Sequence, residues 1–377
     1  LGVLVFLLLI LSLTFKALTV YAQTRFVFMR EHSIGKRLIE GYLNQPYSWF
    51  LSRHSADLGK TILSEITQII LNGLRPLMEL ISQGIVLIVL IILLFMVDPK
   101  LTLVVGLSLA TVYLFIFYFI SNYLIRIGKE RVLNNQLRFT SVDEAFGAAK
   151  EVKVGGLEKT YVKIFSNSAQ NFARTQAISN IVSQLPRFIL EAIAFGGVLL
   201  IILYKMTQSG SFNNALPIIS LYVFAGYRLM PAIQGVYSSF TQLTFISPSL
   251  DKIYNDLKNL EYLKENKLHE LFTFHKKITL KNLYYSYPNT SRTALKNINL
   301  NIIAKSTVGF VGATGSGKTT IIDIILGLLE AQKGFLEVDG KIITKYNSRS
   351  WQRSIGYVPQ HIFLSDDTIA ANIAFGE

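Results

Sequence analysis

The sequence contains no cysteine, which excludes a disulfide framework, a thiol nucleophile and a zinc site with cysteine ligands. Charge is also scarce: charged residues make up 16% of the 377 residues, whereas soluble domains carry about 25%. Hydrophobic residues reach 51%, which excludes an intrinsically disordered chain. Acidic residues number 24 against 37 basic ones, so the net charge of +13 needs a partner or a topological explanation.

Five long apolar runs supply that explanation, because each is close to the roughly 20 residues that a helix needs to cross a bilayer. They predict spans at about residues 1–22, 77–97, 101–124, 188–206 and 215–236. Residues 23–64 and 125–187 of the long connections carry sixteen Lys and Arg residues, whereas the short segments 98–100 and 204–214 carry one each. Positive charge is retained in the cytosol, so we expect the long connections to lie there. The basic excess therefore indicates membrane topology and no nucleic-acid partner.

The long cytosolic connections contain few Gly or Pro residues and are predicted to be helical, with short turns near Asn44–Pro46 and Phe146–Gly147. The aromatic segment Pro46–Phe50 follows the first of these turns. Trp and Tyr residues also anchor proteins at membrane surfaces. We nevertheless expect this segment to dock on another domain, because its loop is long enough to project beyond the lipid headgroups.

Apolar runs of strand length appear only towards the C-terminal end of the chain. The predicted strands are Ile278–Tyr284, Ile298–Ile303, Thr307–Val311 and Phe335–Val338. We therefore expect a multi-domain protein: a polytopic all-α membrane domain over residues 1–248, a helical connector over 249–275, and an incomplete α/β P-loop domain over 276–377.

Residues 312–319 match the pattern G-x-x-x-x-G-K-[ST], between an apolar strand and an apolar helix. In such a loop the glycines let successive backbone N–H groups surround phosphate oxygens, and the helix N-terminus adds partial positive charge. Lys318 is expected to reach the β- and γ-phosphates, and Thr319 to ligate Mg²⁺. The predicted nucleotide-binding residues here are Gly312, Ala313, Thr314, Gly315, Ser316, Gly317, Lys318, Thr319 and Thr320.

Tyr287 lies 31 residues before Lys318, and Gln360 lies 42 residues after it. With the phosphate loop, these residues resemble the ATP-binding cassette (ABC) transporters of the exporter type. The resemblance implies that Tyr287 stacks on adenine and that Gln360 contacts Mg²⁺ and the attacking water. The alternative for Tyr287 is a packed tyrosine at a strand end.

The resemblance covers the whole chain, whose spans look like the second to sixth helices of a six-helix exporter membrane domain. It implies a half-transporter that works as a homodimer in the inner or plasma membrane, with ATP and Mg²⁺ bound in the cytoplasm. The family's signature, catalytic glutamate and switch histidine are not found in the sequence. We therefore expect a fragment truncated at both ends, which hydrolyses ATP only as part of the full-length protein.

Three segments are most similar to the lipid-linked oligosaccharide flippase branch: Phe146–Lys153, Leu185–Glu191 and Tyr227–Pro231. The expected activity is ATP-driven flipping or export of such a lipid, with Arg228 contacting an anionic pyrophosphate. Arg228 could instead pair with a carboxylate on a neighbouring helix. Other readings of the chain are a multidrug or peptide exporter, a nucleotide-sensing receptor or scaffold, and a P-loop kinase with fused anchors.

Overall fold

A computed structural model describes residues 2–97, 99–208, 216–260, 272–288, 290, 292–360, 362 and 364–374, apart from some side chains, including that of Arg228 and most others between 190 and 228. The chain forms two compact units. The first comprises Leu1–Asn44 and Arg53–Glu261, and the second comprises Gln45–Ser52 and Tyr262–Glu377.

Helices build the first unit and account for nearly all of its described residues. In chain order, the helices before residue 260 are α1 (Gly2–Leu43), α2 (Tyr47–Phe50), α3 (Ser55–Lys60), α4 (Ile66–Ile69), α5 (Arg75–Val97), α6 (Pro99–Gly147), α7 (Ala149–Val154), α8 (Glu158–Gln208) and α9 (Leu216–Asn259). Of these, α2 belongs to the second unit. The π-helical turns Thr61–Glu65 and Ile70–Leu74 join α3, α4 and α5 into one continuous helix.

Three helical stretches of the described residues are long and apolar enough to cross a membrane: Gly2–Leu43, Ser55–Val97 and Ala110–Gly147. At most 11% of the most apolar window of each stretch is buried inside the protein, so these apolar surfaces face outward, as lipid-facing helices do. The predicted span at 188–206 falls in α8, and the span at 215–236 falls almost entirely in α9. Most of their side chains lie outside the described part of the structure, so both spans stay predictions.

The predicted break between the second and third spans is found at the end of α5. That helix ends at Val97 and α6 begins at Pro99, while Asp98 lies outside the described residues. Proline suits the first position of a helix because its missing N–H would have no intrahelical partner there. The two apolar helices therefore follow each other with almost no connecting loop.

A buried ion pair links three helices in the first unit. Arg131 on α6 and Glu65, which ends the first π-helical turn, are both fully buried, and their charged atoms lie 2.7 Å apart. Asn135 donates to the other Glu65 oxygen at 2.8 Å, and Ser249 on α9 bonds the Arg131 guanidinium. These hydrogen bonds replace part of the water that both charges lose on burial.

The second unit contains a four-stranded antiparallel sheet, with strand order β2-β1-β3-β4. Its strands are β1 (Lys277–Ser286), β2 (Thr293–Ile303), β3 (Lys333–Val338) and β4 (Lys341–Ile343). The described helices after β2 are α10 (Lys318–Ile325), α11 (Ser348–Gln352) and α12 (Ile369–Ile373). Alternate residues of β1 and β3, including Leu280 and Val338, pack with Ile324 and Trp351 in one apolar core. This core packs against α10 through Ile324, beside the partly buried Ile321 and Ile325.

The prediction of a strand at Thr307–Val311 is wrong for the described residues. This segment is extended but joins no sheet, and Val311 is 99% exposed. An apolar run becomes a strand only where another strand pairs with its backbone groups, and none of the four described strands does so.

α9 continues past the last predicted span to Asn259, so the first part of the predicted connector is the end of this helix. Most of the rest of that connector, residues 261–271, lies outside the described part of the chain.

Candidate nucleotide site

The phosphate loop lies between the extended segment at 306–311 and the first turn of α10. Gly315 and Gly317 adopt φ angles of 79° and 91°, in the left-handed region that favours glycine. A Cβ atom on Gly317 would lie 2.7 Å from Leu295 and 3.0 Å from the Ala294 carbonyl oxygen. Gly317 is therefore required for both its backbone angle and its close approach to β2.

The loop is accessible to a ligand, although the Ser316 N–H already donates to the Ala313 carbonyl oxygen at 3.2 Å. Residues 312–316 are exposed, and the first N–H groups of α10 have no intrahelical acceptor, as in every α-helix. Donors at a helix N-terminus attract anions such as phosphate. The loop geometry therefore fits the phosphates of a nucleotide.

Lys318 folds back over the loop, and its ammonium group donates to the carbonyl oxygens of Gly312 at 2.8 Å and Ala313 at 2.9 Å. These bonds hold the positive charge at the mouth of the loop. Thr319, the next residue, exposes its side chain in the first turn of α10, as a Mg²⁺ ligand must. Their roles towards phosphate and Mg²⁺ stay predictions.

Thr320 has a different environment from Thr319, because it is 4% exposed and faces the core. Its hydroxyl oxygen lies 2.9 Å from the Tyr287 hydroxyl oxygen. The Tyr287 ring packs edge-on against Tyr285, with centroids 5.1 Å apart. The structure thus brings the predicted adenine-stacking residue to the helix that follows the phosphate loop.

Gln360 is the predicted residue that the described structure does not connect to the phosphate loop. It follows Tyr357–Pro359 in an extended, exposed segment, and within the described residues it makes no hydrogen bond to the phosphate loop. Its role towards Mg²⁺ and water stays a prediction.

The short helix α2 belongs to the same compact unit as the phosphate loop. Tyr47, its first residue, has a raised pKa because it is partly buried and because the Asp323 carboxylate and the Tyr287 hydroxyl lie nearby. Burial also raises the pKa of Asp323. Sequence reasoning singled out the aromatic segment but missed Asp323, although it is the only acidic residue in the apolar helix after Lys318.

Two intrahelical ion pairs lie beside the predicted spans: Arg75 lies 3.3 Å from Glu79, and Arg187 lies 2.7 Å from Glu191. Arg228 is part of α9, but its side chain lies outside the described part of the structure. Its contacts to substrate or to a carboxylate therefore stay predictions.

Comparison with known families identifies the chain. The family described as ABC transporter transmembrane region matches residues 1–230, and the ABC transporter family matches residues 295–374. The chain belongs to the ABC transporter family. The first match covers more than half of the sequence, and the second contains the phosphate loop, so the predicted order of membrane and nucleotide-binding domains is confirmed.

Relatives of this ABC transporter include proteins named for lipid flipping and for drug resistance. It is 26% identical over 351 residues to an ATP-dependent lipid A-core flippase of Wigglesworthia glossinidia brevipalpis, covering 92% of this chain and 59% of that protein. It is 25% identical over 374 residues to the multidrug resistance-like ATP-binding protein MdlA of Buchnera aphidicola subsp. Baizongia pistaciae, covering 95% of this chain and 62% of that protein. This ABC transporter chain thus spans about three fifths of the length of these relatives.

Among solved structures, a bacterial Atm1-family ABC exporter with ATP bound matches with a TM-score of 0.75 and 18% identity. The match covers 94% of this chain and 62% of that one. It shows that this ABC transporter has the exporter fold, with a helical membrane region followed by part of a nucleotide-binding domain.

Proposed function

We propose that this ABC transporter binds Mg²⁺-ATP and uses ATP binding and hydrolysis to move an amphipathic lipid across the inner or plasma membrane. The observation that carries the proposal is the phosphate loop, with two left-handed glycines, the Lys318 ammonium at its mouth and the exposed Thr319. A loop of this geometry at a helix N-terminus is suited to the phosphates of a nucleotide.

The nucleotide is held by four groups of contacts in this proposal. Loop N–H groups and Lys318 bind the phosphates, Thr319 ligates Mg²⁺ with Gln360, and Tyr287 stacks on the adenine ring. Binding would favour one conformation of the membrane helices over another, because a ligand shifts an equilibrium towards the state that it binds more tightly. Each chain supplies one membrane domain and one nucleotide-binding domain, so the working unit is proposed to be a homodimer.

The proposed substrate is a lipid-linked oligosaccharide or another lipid with an anionic head group. Relatives named as lipid A-core flippases support a lipid substrate. Arg228 lies within the fifth predicted span, where a charge costs about 3 kcal/mol unless it has a partner or a wet cavity. A guanidinium group there would suit bidentate contact with a phosphate.

A multidrug exporter is the second candidate, because the MdlA relative is matched over 95% of this chain. The two candidates differ in substrate and share the ATP-driven mechanism. The substrate test therefore needs both a charged lipid and an uncharged amphipathic dye.

The test uses the protein expressed from the full open reading frame, reconstituted in liposomes with a labelled polyprenyl-pyrophosphate oligosaccharide. We expect flipping that requires Mg²⁺-ATP and is lost in Lys318→Ala. Arg228→Ala should lose flipping and keep ATPase activity, while Arg228→Lys should keep part of the flipping. Transport of the dye alone would favour the drug exporter, and ATP binding without transport of either compound would favour the receptor alternative.

A further inference from the structure

The chain passes between its two compact units at three places. These are the bonds Asn44–Gln45, Ser52–Arg53 and Glu261–Tyr262. In an ATP-driven transporter, any mechanical signal that travels through the chain must use one of these passages. The first unit's residues beside the passages are therefore candidates for controlling that signal.

One carboxylate in the first unit contacts both segments beside the first two passages. The Tyr42 hydroxyl, two residues before Asn44, donates to Asp256 Oδ2 at 2.9 Å. An Arg53 guanidinium nitrogen, directly after Ser52, lies 3.7 Å from Asp256 Oδ1. Asp256 itself lies near the C-terminal end of α9, five residues before Glu261. The segments on either side of α2 and the distant end of α9 thus meet at one side chain.

The packing around this carboxylate is close. Tyr42 is 3% exposed and Leu260 is 6% exposed. A Cβ atom on Gly41 would lie 2.5 Å from Leu260 Cδ1, so glycine lets α1 lie against Leu260, just beyond the end of α9, without displacing that side chain. The approach brings together the segments beside the first and third passages.

A second carboxylate, on α3, extends the polar contacts along α9. Asp57 on α3 accepts a hydrogen bond from Lys252 on α9 at 2.9 Å and lies 2.8 Å from the buried Lys60 ammonium. Lys252 and Asp256 are four residues apart on α9, so they share one face of that helix. The polar contacts on this face of α9 therefore reach α3 from Lys252, and α1 and Arg53 from Asp256.

We propose that Tyr42, Arg53 and Asp256 form a junction clamp, in which Asp256 is a positioning residue that couples nucleotide binding to movement of the membrane helices. The clamp makes the three chain passages move together, so a displacement imposed on one is imposed on all. This inference rests on the proposed function, because it assumes that Mg²⁺-ATP drives the movement.

The clamp predicts a specific separation of effects. Because Tyr42, Arg53 and Asp256 lie outside the nucleotide site, their loss should leave the affinity for Mg²⁺-ATP within twofold of its original value. The response of the first unit to ATP should fall, because the three passages no longer move together. A residue with only a structural role would lower the melting temperature without separating binding from response.

The experiment uses the protein from the full open reading frame in nanodiscs, with hydrogen–deuterium exchange measured with and without Mg²⁺-ATP. We expect Asp256→Ala to reduce the ATP-induced change in exchange of α5, α6 and α8 at least threefold, and Asp256→Glu to restore part of it. Tyr42→Phe keeps the packed ring and removes one hydrogen bond, so it serves as a milder variant if Asp256→Ala folds poorly. Asp251→Ala, an exposed substitution on the same helix, is the matched control and should behave like the unmutated protein.

A full ATP-induced response in both Asp256→Ala and Tyr42→Phe would overturn the clamp while leaving the proposed function intact. Equal loss of ATP binding and of response in these variants would also overturn it, because Asp256 would then act on folding or on the nucleotide site itself. Failure of the unmutated protein to bind Mg²⁺-ATP would contradict the proposed function and remove the basis of the clamp. These three results are distinguishable within one series of measurements.

Discussion

The hydroxyl oxygens of Tyr287 and Thr320 lie 2.9 Å apart, which joins the end of β1 to the first turn of α10. This bond connects the predicted adenine contact to the helix that carries Lys318 and Thr319. It keeps the Tyr287 ring close to the phosphate loop, although the hydroxyl itself is not needed for stacking.

Replacing Tyr287 tests whether its ring binds adenine. Aromatic pairs contribute about 0.5–1.5 kcal/mol beyond their buried area, so Tyr287→Ala should weaken ATP binding roughly threefold to tenfold. Inorganic triphosphate, which has no adenine ring, should bind Tyr287→Ala and the unmutated protein equally. Tyr287→Phe and Thr320→Val remove the hydrogen bond and keep the ring, so both should bind ATP almost normally. Equal weakening of ATP and triphosphate binding by Tyr287→Ala would support the packed strand-end tyrosine instead.

Gly317→Ala should disrupt the phosphate loop for two reasons. The left-handed backbone costs a residue with a side chain about 1–2 kcal/mol, and the new Cβ would also lie 2.7 Å from Leu295. Gly340 is a matched control, because it has a φ of 89° and its Cβ would meet nothing within 4 Å. Gly340→Ala tests the backbone angle alone, whereas Gly317→Ala tests the angle together with the close approach. Thermal unfolding and ATP titration of both variants therefore separate the two reasons. If Gly317→Ala and Gly340→Ala were equally stable and both bound ATP normally, the close approach would be unimportant.

The Asp339 carboxylate should make the second unit sensitive to acid. It accepts three backbone hydrogen bonds, from His275 at 2.6 Å, Lys276 at 2.9 Å and Lys277 at 2.8 Å, and these bonds lower its pKa. A carboxyl whose pKa is lower in the folded state contributes stability above its unfolded pKa of about 3.9, and that stability is lost as the pH falls towards the folded value.

The pH dependence of unfolding checks this prediction. Asp339→Asn should lower the melting temperature near neutral pH, and the difference from the unmutated protein should shrink below about pH 4. The exposed Asp251→Asn is the control for a lost surface carboxylate. A melting-temperature difference that stayed constant between pH 7 and pH 3 would show that the Asp339 charge contributes nothing.

The buried pair of Arg131 and Glu65 should be strongly coupled. Removing one member of a buried ion pair costs about 3–5 kcal/mol, because the other charge stays buried without a partner. Arg131→Met and Glu65→Leu should each be severely destabilising, whereas the double variant should recover much of the loss. Denaturation of the four proteins in detergent measures the coupling. Additive losses in the double variant would contradict it.

The sequence predicted the features that depend on local pattern. Apolar length identified the helices of the first unit, and the spacing of Gly312, Gly317 and Lys318 identified the phosphate loop. The strand at Thr307–Val311 was wrong because strand formation needs a pairing partner, which an apolar run does not specify. Contacts between distant segments, such as Tyr42 with Asp256 and Glu65 with Arg131, were also missed. Such pairs depend on how helices pack, and a single sequence shows no signal for that packing.

Titration of Mg²⁺-ATP against the protein in nanodiscs tests the central claim most directly. Lys318→Ala is the decisive variant, and Lys296→Ala, an exposed lysine on β2, is its matched control. Hydrogen bonds to charged groups contribute about 1.5–3 kcal/mol, so Lys318→Ala should weaken binding by roughly 10-fold to 150-fold while Lys296→Ala leaves it unchanged. An unmutated protein that did not bind Mg²⁺-ATP, or that bound it equally well without Lys318, would contradict the account.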